Sequence, residues 1–122
     1  MLVDSCGWLE YFTDGKLAGQ FYKYLKDPEE VITSTLVMYE IYKKIKNERS
    51  EEDAIHAIAR LQETEVVPVS QSITLWAADL STEYKIPMAD AIIYATALSN
   101  NVEVVTSDQH FKHLPEVVYL GK

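Results

Sequence analysis

Apolar residues along this chain fall into short blocks separated by longer stretches where they recur every three or four positions. Leu2-Val3 is a short block cut off at Asp4-Ser5, and reads as a buried strand ending at Asp4. Trp8, Leu9, Tyr11 and Phe12 follow at helical spacing, and Asp14-Gly15 is a turn signal. Ala18 to Leu25 is a second helical stretch through Phe21, Tyr22 and Leu25, broken at Asp27-Pro28. Val31-Ile32-Thr33 reads as a second strand, after which Ser34 or Thr35 can cap a helix whose stripe is Val37, Met38, Ile41, Tyr42 and Ile45. That helix is expected to end near Lys46-Asn47.

Ser50 followed by Glu51, Glu52 and Asp53 is a helix start, since acids in the first turn favour the helix dipole. Its expected inward face is Ala54, Ile55, Ile58, Ala59 and Leu61. Val66-Val67-Pro68-Val69 reads as a strand, and Pro68 places it at a sheet edge. Ser70 caps a helix with Ile73, Leu75, Trp76, Ala77 and Leu80 inside it. Ile86-Pro87 stops the chain and starts another helix, Met88 to Leu98, so apolar that it must pack on several sides. Asn100-Asn101 ends it, Val102 to Thr106 is a strand, a helical turn reaches Phe111, and Val117 to Leu120 is the last strand.

Strands alternating with helices predict a single-domain α/β fold over residues 1–122, a three-layer α/β/α sandwich with a mainly parallel sheet. In such sheets the working residues gather beyond the carboxyl ends of the strands. Asp4 and Asp108 both stand where predicted strands end.

Composition narrows the function. With 48% hydrophobic and 25% charged residues, the chain is neither disordered nor of low complexity. A single cysteine, Cys6, excludes a disulfide framework and a cysteine-based zinc ribbon. The start of the chain lacks the basic segment of a signal peptide, and no run of about 18 apolar residues is present. A cytoplasmic protein with no membrane segment is therefore expected. The net charge of −8 should repel bare nucleic acid, unless the acids concentrate where a cation sits.

Four acids are candidates for that role: Asp4, Glu40, Asp90 and Asp108. Asp4 and Asp108 could equally be helix caps. Asp90 is the one charge in an otherwise apolar helix; its first-turn position suits the dipole, yet a partly buried carboxylate there needs a partner or a metal. Glu40 could pair with Lys44 at i,i+4. Together they say more. Carboxylates converging beyond strand ends raise one another's pKa, and a hard divalent cation relieves this. Water bound to such a cation becomes a nucleophile without serine or histidine, so an acidic protein can cut an acidic polymer.

The matching segments are Val3-Asp4-Ser5 with Gly7-Trp8-Leu9, then Glu40 after Leu36-Val37-Met38-Tyr39. Ala89-Asp90-Ala91-Ile92-Ile93-Tyr94-Ala95-Thr96-Ala97 and Val105-Thr106-Ser107-Asp108-Gln109-His110-Phe111 follow. In order and spacing along the whole chain these resemble the PIN domain, and within it the VapC-type ribonuclease toxins of toxin–antitoxin pairs. The resemblance implies a doubly wound fold with Asp4, Glu40, Asp90 and Asp108 around Mg2+ or Mn2+. Ser5 and Thr106 would be the supporting polar groups. It also implies hydrolysis of RNA phosphodiesters, a cognate antitoxin and a homodimer. Cys6 and Tyr94 depart from the residues common at their positions and are expected to bear on substrate fit.

Lys43, Lys44, Lys46 and Arg49 form the one basic run, which either complements a helix end or holds RNA phosphates beside Glu40. His110 and His113 stand at i,i+3 and could bind metal, but with no third ligand in sequence reach they read rather as solvated or capping side chains. Cys6 reads as a small buried hydrophobe. The aromatic cluster of Tyr11, Phe12, Phe21, Tyr22 and Tyr24 is expected to be part core and part groove open to a partner. Two rival readings are a catalytically silent scaffold of the same fold and a phospho-receiver domain. The second needs adjacent acids after the first strand, where this chain has Ser5 and Cys6.

Overall fold

The computed structural model describes residues 1–121. Five parallel strands form one sheet in the order β3-β2-β1-β4-β5: β1 is Leu2–Val3, β2 Ile32–Ser34, β3 Glu65–Val67, β4 Val104–Thr106 and β5 Val117–Tyr119. The six helices are α1 (Ser5–Phe12), α2 (Ala18–Leu25), α3 (Thr35–Glu48), α4 (Glu51–Leu61), α5 (Gln71–Tyr84) and α6 (Met88–Ser99). Short 3₁₀ turns lie at Pro28–Glu30 and Gln109–Phe111. This is the α/β sandwich with a parallel sheet that the alternation predicts. Every boundary hydroxyl that the pattern marks is used. Ser34, Ser50 and Ser70 accept hydrogen bonds from the backbone N–H of Leu36, Asp53 and Ile73, opening α3, α4 and α5. Lys85, left-handed at φ 56°, closes α5 ahead of Ile86-Pro87.

The sheet interior is Leu2, Val3, Val31, Ile32, Val104 and Val105, all buried as the near-continuous apolar blocks require of a sheet covered on both faces. Gly7 lets α1 seat against it. A Cβ there would stand 2.5 Å from the Phe21 ring of α2 and 2.7 Å from Val3 Cγ1 of β1. Helix α6 carries a buried Ala91, Ile93, Tyr94, Ala95, Thr96 and Ala97, which is why its sequence has no polar face.

The pattern misplaces several residues. Ile55 on α4 is 55% exposed, and Ala57 is buried where Ala59 was expected. On α5 Leu75 and Trp76 are 62% and 40% exposed, because only Ile73, Ala77 and Leu80 share the inward stripe. Strand β3 ends at Val67, so Pro68 and Val69 lie outside it, although β3 is indeed an edge. Strand β4 begins at Val104, after Val102 and Glu103. Tyr94 is core: its hydroxyl donates to the Pro115 carbonyl at 2.6 Å and its ring meets Tyr84 and Phe111 edge-on. It therefore cannot shape a substrate site. Among the described residues, no helix is long and apolar enough to cross a membrane.

Candidate metal centre

Strand order reverses between β1 and β4: β2 and β3 extend from one side of β1, β4 and β5 from the other. A crevice opens beyond the carboxyl ends of the two strands that flank such a reversal. Asp4 follows β1 and Asp108 follows β4, so topology delivers two residues more than 100 positions apart to one crevice. Helix α3, leaving the end of β2, carries Glu40 in its second turn. The first turn of α6 carries Asp90.

Asp4 is 3% exposed. Its Oδ1 accepts from the Ser5 N–H at 2.8 Å and its Oδ2 from the Thr106 hydroxyl at 2.9 Å. It caps α1, as the simpler sequence reading has it, while its other oxygen is turned to β4. The same Thr106 oxygen accepts from the Asp108 N–H at 2.9 Å, so one buried hydroxyl ties the two acids together. Asp108 in turn caps the Gln109–Phe111 turn by accepting from the His110 N–H. The two cap readings are thus realised, and they do not compete with a shared site.

Burial raises the pKa of Asp4, opposed by the Thr106 and Ser5 hydrogen bonds. Glu40 is pushed up to about 7, first by burial and then by the charge of Asp4, with smaller contributions from Asp90 and Asp108 and an opposing one from Ser5. Asp90 is pushed up to about 6 by burial and by Asp108 and Asp4, against the pull of His110. Asp4, Glu40 and Asp90 are therefore each raised by at least one neighbouring acid as well as by burial. Glu40 Oε1 is buried without a hydrogen-bond partner. Lys44, its suggested partner, pairs instead with Glu48 at 2.6 Å. Among the described residues, no Lys or Arg forms an ion pair with any of the four carboxylates. A set of oxygen donors short of positive charge, with one buried oxygen unpartnered, fits a hard divalent cation.

Two residues have contacts here that their sequence reading did not give them. His110 Nδ1 lies 2.9 Å from Asp90 Oδ2 and 3.1 Å from Asp108 Oδ1, whereas His113 is an exposed residue at φ 75°. The i,i+3 spacing to His113 was the wrong signal; the informative one was the two-residue step from Asp108. Cys6 is polar-bonded and only partly buried, not a buried hydrophobe. Its Sγ sits 3.3 Å from Thr106 Oγ1 and accepts from the Ser107 N–H and hydroxyl at 3.4 Å each. Burial and Asp4 raise the thiol's pKa, so it stays protonated and can donate to Asp4 Oδ2, 3.7 Å away.

The basic run lies on the C-terminal half of α3 and just beyond it. Lys46 pairs with Glu51 and stacks over Tyr42, and Lys43 stacks over Tyr39. Arg49 borders a cleft of about 510 Å³ shared with Phe12, Ile45, His56 and Arg60. The aromatic cluster divides as expected: Phe21 is buried, while Tyr11 stacks on a half-exposed Tyr22 and beneath the Arg60 guanidinium.

Comparison with known proteins bears on the whole chain. The family model described as PIN domain matches residues 1–117. A toxin–antitoxin complex from Klebsiella pneumoniae contains a chain with 27% identity and a TM-score of 0.81, over 96% of this chain and 94% of that one. VapBC2 from Rickettsia felis, bound to a DNA fragment from its promoter, shares 17% identity at a TM-score of 0.75 over 98% and 96%. Mycobacterium tuberculosis VapC20, a toxin that cleaves the sarcin–ricin loop, shares 17% identity at 0.77 over 95% of each chain. No curated protein matches the sequence.

Proposed function

The chain belongs to the PIN domain family, and from that premise we propose that it is a metal-dependent endoribonuclease, the toxin of a two-protein toxin–antitoxin module. One observation carries the reading. Four carboxylates gather at the strand-order reversal, three of them (Asp4, Glu40 and Asp90) with pKa values raised by burial and by neighbouring acids, and Glu40 Oε1 is buried without any partner. A purely structural cluster would gain nothing from that arrangement, whereas a cation site requires it.

Asp4, Glu40, Asp90 and Asp108 would hold Mg2+ or Mn2+. Such an ion supplies an activated water and stabilises the charge that builds on a phosphate. Thr106 holds the Asp4 carboxylate and the Asp108 backbone to one hydroxyl, which ties the two acids to the same point. Ser5 draws Glu40 toward its ionised form and so keeps it available as a ligand. Lys43, Lys44, Lys46 and Arg49 lie on the element that carries Glu40, or just past it, and would hold the RNA backbone on approach. Neighbours of the same fold were solved as toxin–antitoxin complexes, which supports an antitoxin partner. The homodimer implied by the family is part of the same reading.

Purified protein should cleave RNA with Mg2+ or Mn2+ and lose this activity in excess chelator. Cleavage that persists undiminished in chelator would overturn the metal mechanism. Metal binding without cleavage of any RNA would leave the silent scaffold as the correct reading.

A further inference from the structure

The oxygen-rich centre has a nitrogen in it. Asp108 caps the 3₁₀ turn that holds His110, and the cap fixes the backbone from which the imidazole projects. Nδ1 of that ring lies 2.9 Å from Asp90 Oδ2 and 3.1 Å from Asp108 Oδ1, and one donor atom from each of the three residues lies within 4.8 Å of the other two. The two oxygens come from separate elements, α6 and the loop after β4, so the convergence is tertiary and not a by-product of one turn. The donors differ in access. The His110 side chain is 57% exposed, Asp108 32% and Asp90 13%, so the ring closes the solvent side of a pair of acids that lie deeper. Nδ1 thus points at the place that both carboxylate oxygens face, where its lone pair would join them as a third donor.

We propose that His110 is a metal ligand through Nδ1, and that the Asp90–Asp108–His110 set makes this site prefer Mn2+ to Mg2+. The inference rests on the reading of the carboxylates as a divalent-cation site. Mg2+ takes oxygen ligands and retains its water, and an imidazole in its shell gains little. Mn2+ accepts carboxylate oxygen and also tolerates nitrogen, standing at the soft end of the oxygen-loving ions. A ring nitrogen held against two carboxylates therefore separates two cations that an all-oxygen site would treat more alike. His56 and His113 are the only other histidines in the chain, and neither is part of this donor group.

The test uses MnCl2 and MgCl2 as separate probes, without RNA. Calorimetric titration of the parent and His110→Ala should show the Mn2+ dissociation constant rising about tenfold or more in the variant. The Mg2+ constant should stay within about twofold, or improve as a competitor for the two carboxylates is removed. Equal changes for both ions, or none, would overturn the proposal and leave His110 as a hydrogen-bond partner of the two acids. Co2+ gives a second measurement on the parent itself: a ligating imidazole shows a far-shifted exchangeable ring N–H proton, and its absence with Co2+ bound would also overturn it. Neither readout depends on nuclease activity. Loss of Mn2+ preference in His110→Ala, in a parent that cuts no RNA, keeps this inference and removes the nuclease reading. Metal-dependent cleavage with unchanged ion preference does the reverse.

Discussion

Asp90 stands where a helix dipole would welcome any acid, so only a substitution separates that role from metal holding. Asn at position 90 keeps the shape and removes a charge that burial, Asp108 and Asp4 all oppose. In chelator, Asp90→Asn should therefore be at least as stable as the parent. It should gain less from added Mg2+, since a cation stabilises the fold only as far as it binds it. RNA cleavage should fall by about a hundredfold or more. Melts with Mg2+ and with chelator, beside one cleavage assay, decide the matter; an active variant with the parent's response to Mg2+ would return Asp90 to a helix-start role. Glu40 supports a pH test. Its folded pKa, about 7, lies above the ordinary value of 4.5, so the folded chain keeps a proton that the unfolded chain has released. Stability should then fall as pH rises from about 4.5 to about 7 in chelator. Glu40→Gln should be the more stable protein above that window, and the difference should vanish below it. Urea denaturation at several pH values would show this, and a gap constant with pH would count against the strained carboxylate. Asp4, Asp90 and Asp108 could be picked from the sequence, because each follows a strand or interrupts an apolar helix, whereas Glu40 read alone as a partner for Lys44 and joined the set only in their company. The contacts of Cys6 and His110 could not, because their partners are set by the packing of β1, β4 and α6.

Helix positions were legible because caps and apolar stripes agreed, as at Ser50 and its first-turn acids. Helix faces were less so. Leu75 and Trp76 on α5 and Ile55 on α4 are apolar and exposed, and no count of hydrophobic residues says which stripe a sheet will choose when two are on offer. Gly7 shows the reverse case, a short residue whose reason appears only in three dimensions. An added methyl must displace the Phe21 ring of α2 or Val3 of β1. Gly7→Ala should cost about 1–3 kcal/mol through overpacking, measured by denaturant unfolding. Asp4 caps helix α1, so displacement of the helix should also weaken the Thr106–Asp4 hydrogen bond and lower cleavage more than the stability loss alone. A variant as stable as the parent would mean that α1 is not seated by this contact.

At the scale of the whole chain, the alternation of short apolar blocks with helices was enough to specify the sheet class, and the reversal between β1 and β4 then located the crevice. What surrounds the crevice follows from charge. A protein of net charge −8, with four acids gathered at one end of the sheet and no Lys or Arg paired with them among the described residues, should bind a basic inhibitor. The half-exposed Tyr22, stacked on Tyr11, offers such an inhibitor an apolar anchor, and Arg60 lies over the Tyr11 ring and donates to its hydroxyl. The tail of the proposed antitoxin is therefore expected to cross Tyr11 and Tyr22 and bring an Arg or Lys to Asp4 and Asp90, where its charge would take over the neutralising role of a cation. Two measurements on the purified pair follow. Tyr22→Ala should weaken the complex about tenfold or more, as loss of a stacked aromatic anchor does. Added Mg2+ should compete with the tail, so the dissociation constant should rise with Mg2+ beyond what the same ionic strength of a monovalent salt produces. A partner whose affinity ignores both Tyr22 and Mg2+ docks elsewhere, and its inhibition would have to come from blocking the RNA rather than from occupying the acids.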